Sequence, residues 1–226
     1  NNLPPKKENN IVIYSKYPYR SVLIYRASSM LGTRFQVANR ADFADSLTVY
    51  KVNEIPYYEG NFDIKNKKAY RYLICNFKGT VFFNVGDIRV TDCENGMEKQ
   101  LSGKLSGNPG IGGALLKNAM DSDRISYFEN NIDVKDQYIA IDFGKPVHFN
   151  HVTYYPRSDD NRIVNGETYE LFYWNRKWVS LGKQIGKDHR LVFNHVPENA
   201  VLRVHDCTKG NEERIFTYEH GKQIWW

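Results

Sequence analysis

Residues 154–161, YYPRSDDN, collect side chains of the kinds that a saccharide site uses. Arg157 carries a planar fork of donors that suits vicinal hydroxyls or a carboxylate. Asp159, Asp160 and Asn161 add acceptors for sugar hydroxyls. Tyr154, Tyr155 and, further along, Trp174 or Trp178 offer ring faces for the apolar side of a pyranose. A small-molecule site needs this mixture of apolar surface and a few fixed polar groups. A structural reading stands beside it. Arg157 pairs locally with Asp159 or Asp160, and the tryptophans face the core because strand alternation buries one face. The dipeptide Asn165–Gly166 is a turn signal, which places 156–161 in a loop joining two strands.

A second constellation is MDSDRIS, residues 120–126. Calcium takes several oxygens, carboxylate and carbonyl, from one tight loop. Asp121 and Asp123 at alternate positions, with Ser126 close behind, meet that need. The alternative is a metal-free loop tied by Arg124 or by backbone hydrogen bonds. His148 and His151 are three apart and so point to opposite faces of a strand, which makes them a poor ligand pair. His189, His195, His205 and His220 stand singly. The nucleophile-elbow, zinc-helix and dinucleotide motifs are absent. The adjacent Asp159 and Asp160 do not resemble an acid–base pair, whose members come from separate elements across a cleft. The expectation is a segment that is not an enzyme.

The elements that must position these groups are strands. Of the 226 residues, 41% are hydrophobic and 14% aromatic, so a core can be buried and disorder is excluded. The net charge of +5, from 31 basic and 26 acidic residues, is spread along the chain. A nucleic-acid binder clusters its cations on one face, and no such partner is expected. No apolar run is long enough for a transmembrane helix. No signal peptide is present, and the opening NNLPPKKENN reads as a linker (1–10) in a fragment of a longer protein. Cys75, Cys93 and Cys207 do not make a disulfide framework; buried free thiols are expected, with a Cys75–Cys93 pair as the alternative.

Alternating and β-branched runs recur at short spacing: 11–15, 21–27, 46–52, 69–77 and 80–90, then 137–143, 147–155, 168–174, 177–182, 191–196, 200–206 and 214–219. Turn residues separate them, including Lys-Gly-Asn at 209–211. The pattern predicts an all-β chain built from antiparallel β-sandwiches. ADFADSL, 41–47, is the one helical candidate, a single turn. The glycine-rich stretch 104–116 reads as the boundary between two domains, 11–103 and 104–226. AYRYLICNFKG (69–79) with 82–90 echoes AVLRVHDCTKG (200–210) with 213–219, which suggests two tandem copies of one fold. Chance likeness between hairpins is the plain alternative. In GKQIWW, at least one of Trp225 and Trp226 is expected to staple the last strand to the core.

ALLKNAMDSDRISYFEN (114–130), QYIAIDFGKPVHFNHVTYYPR (137–157), YELFYWNRKWVSLG (169–182), AVLRVHD (200–206) and RIFTYE (214–219) fall in an order that resembles the discoidin family. These are the coagulation-factor type C, or galactose-binding-like, domains. The resemblance spans about residues 104–226. In the first half it covers only AYRYLICNFKG and NVGDIRV, while 30–45 departs from it, and Ser122 stands where the family has Gly. The whole also looks like the C-terminal parts of surface or secreted proteins of gut Bacteroidetes. The resemblance implies a jelly-roll sandwich that binds glycans or lipid headgroups at loops on one end. It implies that an Arg after the central strand, here Arg157, faces those loops. It further implies a structural Ca2+, with Glu219 of the last strand closing the site of Asp121, Asp123 and Ser126. The resulting expectation is a non-catalytic carbohydrate-binding module, secreted, periplasmic or at the cell surface, attached to an upstream domain. Its ligand residues would be Tyr155, Arg157, Asp159, Asp160 and Asn161. The alternative is a spacer or docking domain with no ligand of its own.

Overall fold

A computed structural model of the chain describes residues 7–18, 21–123, 125–208 and 213–226. The fold is all-β, with several open antiparallel sheets. Among the described residues no helix is long and apolar enough to cross a membrane. The chain forms two compact units: Ser21–Asp159, and Asn1–Arg20 together with Asp160–Trp226.

In the unit 21–159, a five-stranded sheet has the order Leu47–Lys51, Arg34–Ala38, Tyr70–Asn76, Tyr138–Val147, Lys104–Gly107. A four-stranded sheet has the order Gly60–Asp63, His151–Tyr155, Asp87–Glu94, Met97–Leu101. Alternation along each strand sends one set of side chains inward. Phe35, Leu73 and Ile141 from the first sheet meet Phe62, Val90 and Val152 from the second in one core. Each such side chain contributes about 1.5–3 kcal/mol on burial. The packing is sandwich-like. Phe77 and Phe83 stack beside it, ring centroids 4.1 Å apart.

In the other unit, a five-stranded sheet has the order Trp178–Ile185, Thr168–Trp174, Leu202–Asp206, Phe216–Glu219, Lys222–Trp225. The ladder of Glu8–Ile13 with Leu191–Pro197 is a separate pair. Ile11, Ile13, Leu191 and Phe193 share a core with Tyr169, Leu171, Val204 and Phe216 of the sheet. Trp225 packs on that core and lies 5.1 Å from Phe216, as a stapling residue should, while Trp226 is exposed.

Several expectations need correction. The chain does not divide at 104–116. Lys104–Gly107 is an edge strand paired to Tyr138–Val147, and that strand lies against Tyr70–Asn76. The glycines permit close approach: a Cβ at Gly103 would sit 2.6 Å from the Asp142 carbonyl oxygen, and one at Gly107 2.2 Å from that of Tyr138. The units are therefore not 11–103 and 104–226, and one of them is discontinuous in sequence. The linker reading of 1–10 also fails where it can be assessed, because a strand begins at Glu8; residues 1–6 lie outside the described ones. The echo between the halves is not a repeat. Leu202–Asp206 pairs with Phe216–Glu219, whereas Tyr70–Asn76 and Asp87–Glu94 belong to different sheets. The turn at 209–211 lies outside the described residues.

Two local assignments change as well. SVLIYRA is not a strand but part of the helix Ser21–Ser28. Leu23 and Ala27, four apart, are its buried stripe. ADFADSL is a pair of turns rather than a helical turn. The Asp42 carboxylate accepts from the Arg40 guanidinium and the Ala44 amide, and Asp45 accepts from the amides of Asn39 and Arg40. Short acidic side chains that bond nearby backbone compete with helix formation.

Candidate functional site

A cleft of about 660 Å3 opens in the unit 21–159 between a glycine hairpin and a short strand. The hairpin pairs Gly110–Ile111 with Ala114–Leu115 across Gly112 and Gly113. Gly112 has φ +56, a conformation that favours glycine at such a tip. The facing wall is Ser126, Tyr127 and Glu129. Asn118, on the 3-10 turn Leu116–Met120, ties the two walls: its side-chain amide donates to the carbonyls of Gly113 (3.1 Å) and Tyr127 (3.0 Å). The buried amide fixes the width of the opening.

Behind that wall lies Arg157. Its guanidinium sits 3.3 Å from the Tyr127 ring centroid, its Nη1 donates to Glu129 at 3.1 Å, and its Nε donates to Asp159 at 2.7 Å. Asp159 also accepts from Arg26. Arg157 is therefore a brace, with its side chain only 13% exposed, and the cleft that it backs is not the 154–161 loop expected to bind. Asp159 is the second member of the brace, and the local pairing that stood as the alternative is present. Charges alternate along Glu129, Arg157, Asp159 and Arg26, so the cluster is balanced.

The other three anticipated ligand residues are buried. Tyr155 is buried beneath the Arg89 guanidinium, 5.3 Å from its ring centroid. Tyr154 is a core residue that touches Phe35. Asp160 is buried against Lys16 at 2.5 Å. Asn161, fully buried, accepts from the Tyr17 amide and donates to the Pro18 carbonyl. Strand alternation turns Tyr154 into the core and Tyr155 to the opposite face, where Arg89 covers it, and the need to satisfy buried polar groups explains the amide.

The acidic loop is closed on itself. Asp121 accepts from the Asp123 amide (2.9 Å) and the Ser126 hydroxyl (2.7 Å), and Asp123 accepts from the Ile125 amide (2.9 Å). Arg124 lies outside the described residues. Glu219 is in the other unit, where it accepts from the Thr217 hydroxyl. Among the described residues no group of three or more His, Cys, Asp and Glu is placed to hold a metal ion. The four side chains anticipated for Ca2+ are thus not assembled within one unit.

A second groove, about 670 Å3, is lined by Asp63, Cys93, Asn150 and His151. His151 Nδ1 lies 2.7 Å from Asp63, and the Asn150 amide bonds the backbone of Cys93 at both N and O. His148 lies past the end of the strand Tyr138–Val147 and lines a neighbouring depression with Lys65 and Lys67, so the two histidines do not share one strand. The groove is formed by strand ends and lacks the aromatic wall of the first cleft.

Trp174 and Trp178 are not core residues, contrary to the expectation for them. Trp174 is half exposed, and it meets Trp178 across a hairpin at 5.3 Å. Of the groups in the first cleft, Asn118, Tyr127 and Glu129 lie within 114–130, but nothing in that segment singles them out as ligand groups. The Gly112–Gly113 pair does carry a hairpin signal, which a linker reading of the same glycines conceals. No protein-family model matches the chain, and no curated protein or solved structure matches it either.

Proposed function

We propose that the chain is a non-catalytic carbohydrate-binding module whose saccharide enters the cleft between Gly112–Gly113 and Tyr127–Glu129. One observation carries the reading: an aromatic ring, a carboxylate and a hydroxyl line one wall, held at fixed width by buried Asn118. Such a site offers an apolar face to the ring of a sugar and bonds to its hydroxyls. Glu129 accepts from hydroxyls, Ser126, whose own proton goes to Asp121, also accepts, and Arg157 keeps Glu129 and Tyr127 in place. Each bond replaces one to water, so the affinity of a single module is weak. The sandwich-like packing of 21–159 is compatible with a galactose-binding-like jelly roll, which remains part of the proposal, as does a secreted or cell-surface location beside an upstream domain.

The test is a glycan array followed by calorimetry with wild type, Glu129→Gln and Gly113→Trp. A Cβ at Gly113 meets nothing within 4 Å, so the new side chain obstructs the mouth without disturbing the hairpin. Wild type should bind at least one neutral saccharide, and both variants should lose about tenfold or more in affinity with unchanged melting temperature. A saccharide bound equally by all three, or by none, would remove the cleft from consideration.

A further inference from the structure

The cleft does not use the chain's exposed tryptophans. Along Thr168–Trp174, Tyr169 and Leu171 enter the core, so Phe172 and Trp174 take the outer face. Their cross-strand partners there are Ser180 and Trp178. Trp174 is 50% exposed, and its indole plane meets that of Trp178 at 68°, which makes an angled aromatic step. Arg203, opposite Phe172 on the next strand, lies 4.8 Å from the Trp178 ring and 5.1 Å from that of Phe172. Glu213 fixes it from one side at 3.3 Å. Between the two tryptophans the loop exposes Asn175, Arg176 and Lys177. Arg176 adopts φ +60, a region where a side chain other than Gly or Asn is uncommon.

We infer that this hairpin, 174–178, is a second saccharide site, selective for an acidic pyranoside such as a uronate. Charge complementarity chooses the occupant. The exposed Trp174 indole, propped by Trp178 and its Arg203 cover, takes the apolar face of a pyranose. Arg176 and Lys177, exposed in the loop between the indoles, supply donors for charge-assisted hydrogen bonds to a carboxylate on its rim. A nucleic acid would require a continuous basic track. Here Glu170 shares the outer face of the Trp174 strand, and Glu213 is paired with Arg203, so carboxylates interrupt the basic surface and oppose a polyanionic backbone. The site needs nothing from the cleft and lies wholly within the unit that contains Asp160–Trp226.

The test titrates the full chain with a polygalacturonate oligomer, its methyl-esterified neutral form and a single-stranded oligonucleotide, read by tryptophan fluorescence and calorimetry. The acidic oligomer should bind, more weakly as salt rises. Trp174→Ala should weaken it about tenfold, the scale of one lost stacking contact. The double variant Arg176→Gly, Lys177→Gln should bring it down to the affinity of the neutral form. Gly113→Trp should change nothing here, so failure of the cleft and failure of the hairpin are distinguishable. Equal binding of acidic and neutral oligomers, binding of neither, tighter binding of the oligonucleotide, or an unaltered Trp174→Ala would overturn the assignment.

Discussion

The ammonium of Lys16, fully buried, lies 2.5 Å from Asp160 and 3.6 Å from Asp206. This contact joins residues 144 apart in sequence. Backbone contacts run beside it: the Lys16 amide donates to the Asn161 carbonyl, and Ser15 bridges to Arg162. The early strand and the 160–226 segment are one unit because their polar groups satisfy one another as well as because Ile11 and Ile13 fill a shared core.

Replacing Lys16 by Met should therefore destabilise that unit by about 3–5 kcal/mol, since buried carboxylates are left without their cation. All four tryptophans, 174, 178, 225 and 226, belong to it. Their fluorescence during urea unfolding measures the loss directly. A midpoint equal to that of the wild type would mean that the pair contributes nothing.

The Arg71–Asp142 pair predicts an acid dependence in the other unit. The Arg71 guanidinium grips both Asp142 oxygens, at 2.8 and 2.9 Å. That grip, backed by the Gly144 amide, holds the Asp142 carboxyl down at about 2. An unfolded aspartate titrates near about 3.9. The depressed folded value means that the stabilisation is complete above about pH 4 and drains away as pH falls toward about 2. Both side chains are partly exposed, so salt reduces the effect. Asp142→Asn should flatten this part of the pH–stability curve, measured by melting at stepped pH, and an unchanged slope would exclude the pair as its source.

Thiol chemistry should separate the cysteines. Burial pushes the Cys75 thiol well above its usual range, whereas Cys93 and Cys207 are exposed. The thiolate is the reactive form. A maleimide should label two sites rapidly and the third only on unfolding, as counted by mass spectrometry. The expectation of three buried thiols thus holds for Cys75 alone, and all three are free. Rapid labelling of Cys75 in the folded chain would contradict its placement.

Strands were legible where alternation or a run of β-branched and aromatic residues is bounded by turn residues. Thr168–Trp174 and Tyr70–Asn76 fall where the pattern puts them. The helix Ser21–Ser28 was not, because SVLIYRA is apolar on successive positions and only the packing of Leu23 and Ala27 distinguishes its period. Arg157 and Asp159 were legible as polar groups of a loop between strands, but their roles were not. Whether a guanidinium reaches a ligand or Glu129 depends on a strand 28 residues away in sequence. The division of the chain was hidden for the same reason, since Lys16 and Asp160 share no local signal.

The misread glycines give a last prediction. Residues 103–107 resemble a linker in composition, yet they form an edge strand whose backbone lies against Tyr138–Val147. Gly107 has φ +112, and a Cβ there would sit 2.2 Å from a backbone oxygen that cannot move without parting the sheet. Gly107→Ala should cost about 2 kcal/mol or more through this strain and clash. Gly113→Ala, where a Cβ meets open space, should shift stability by only about 0.5 kcal/mol either way. Exposure of Cys75, in a background with Cys93 and Cys207 changed to Ser, reports the sheet concerned because Cys75 pairs with Ile139 inside it. If the two variants expose Cys75 at the same denaturant concentration, residues 104–107 are the linker that their composition suggests, and the edge strand is wrong.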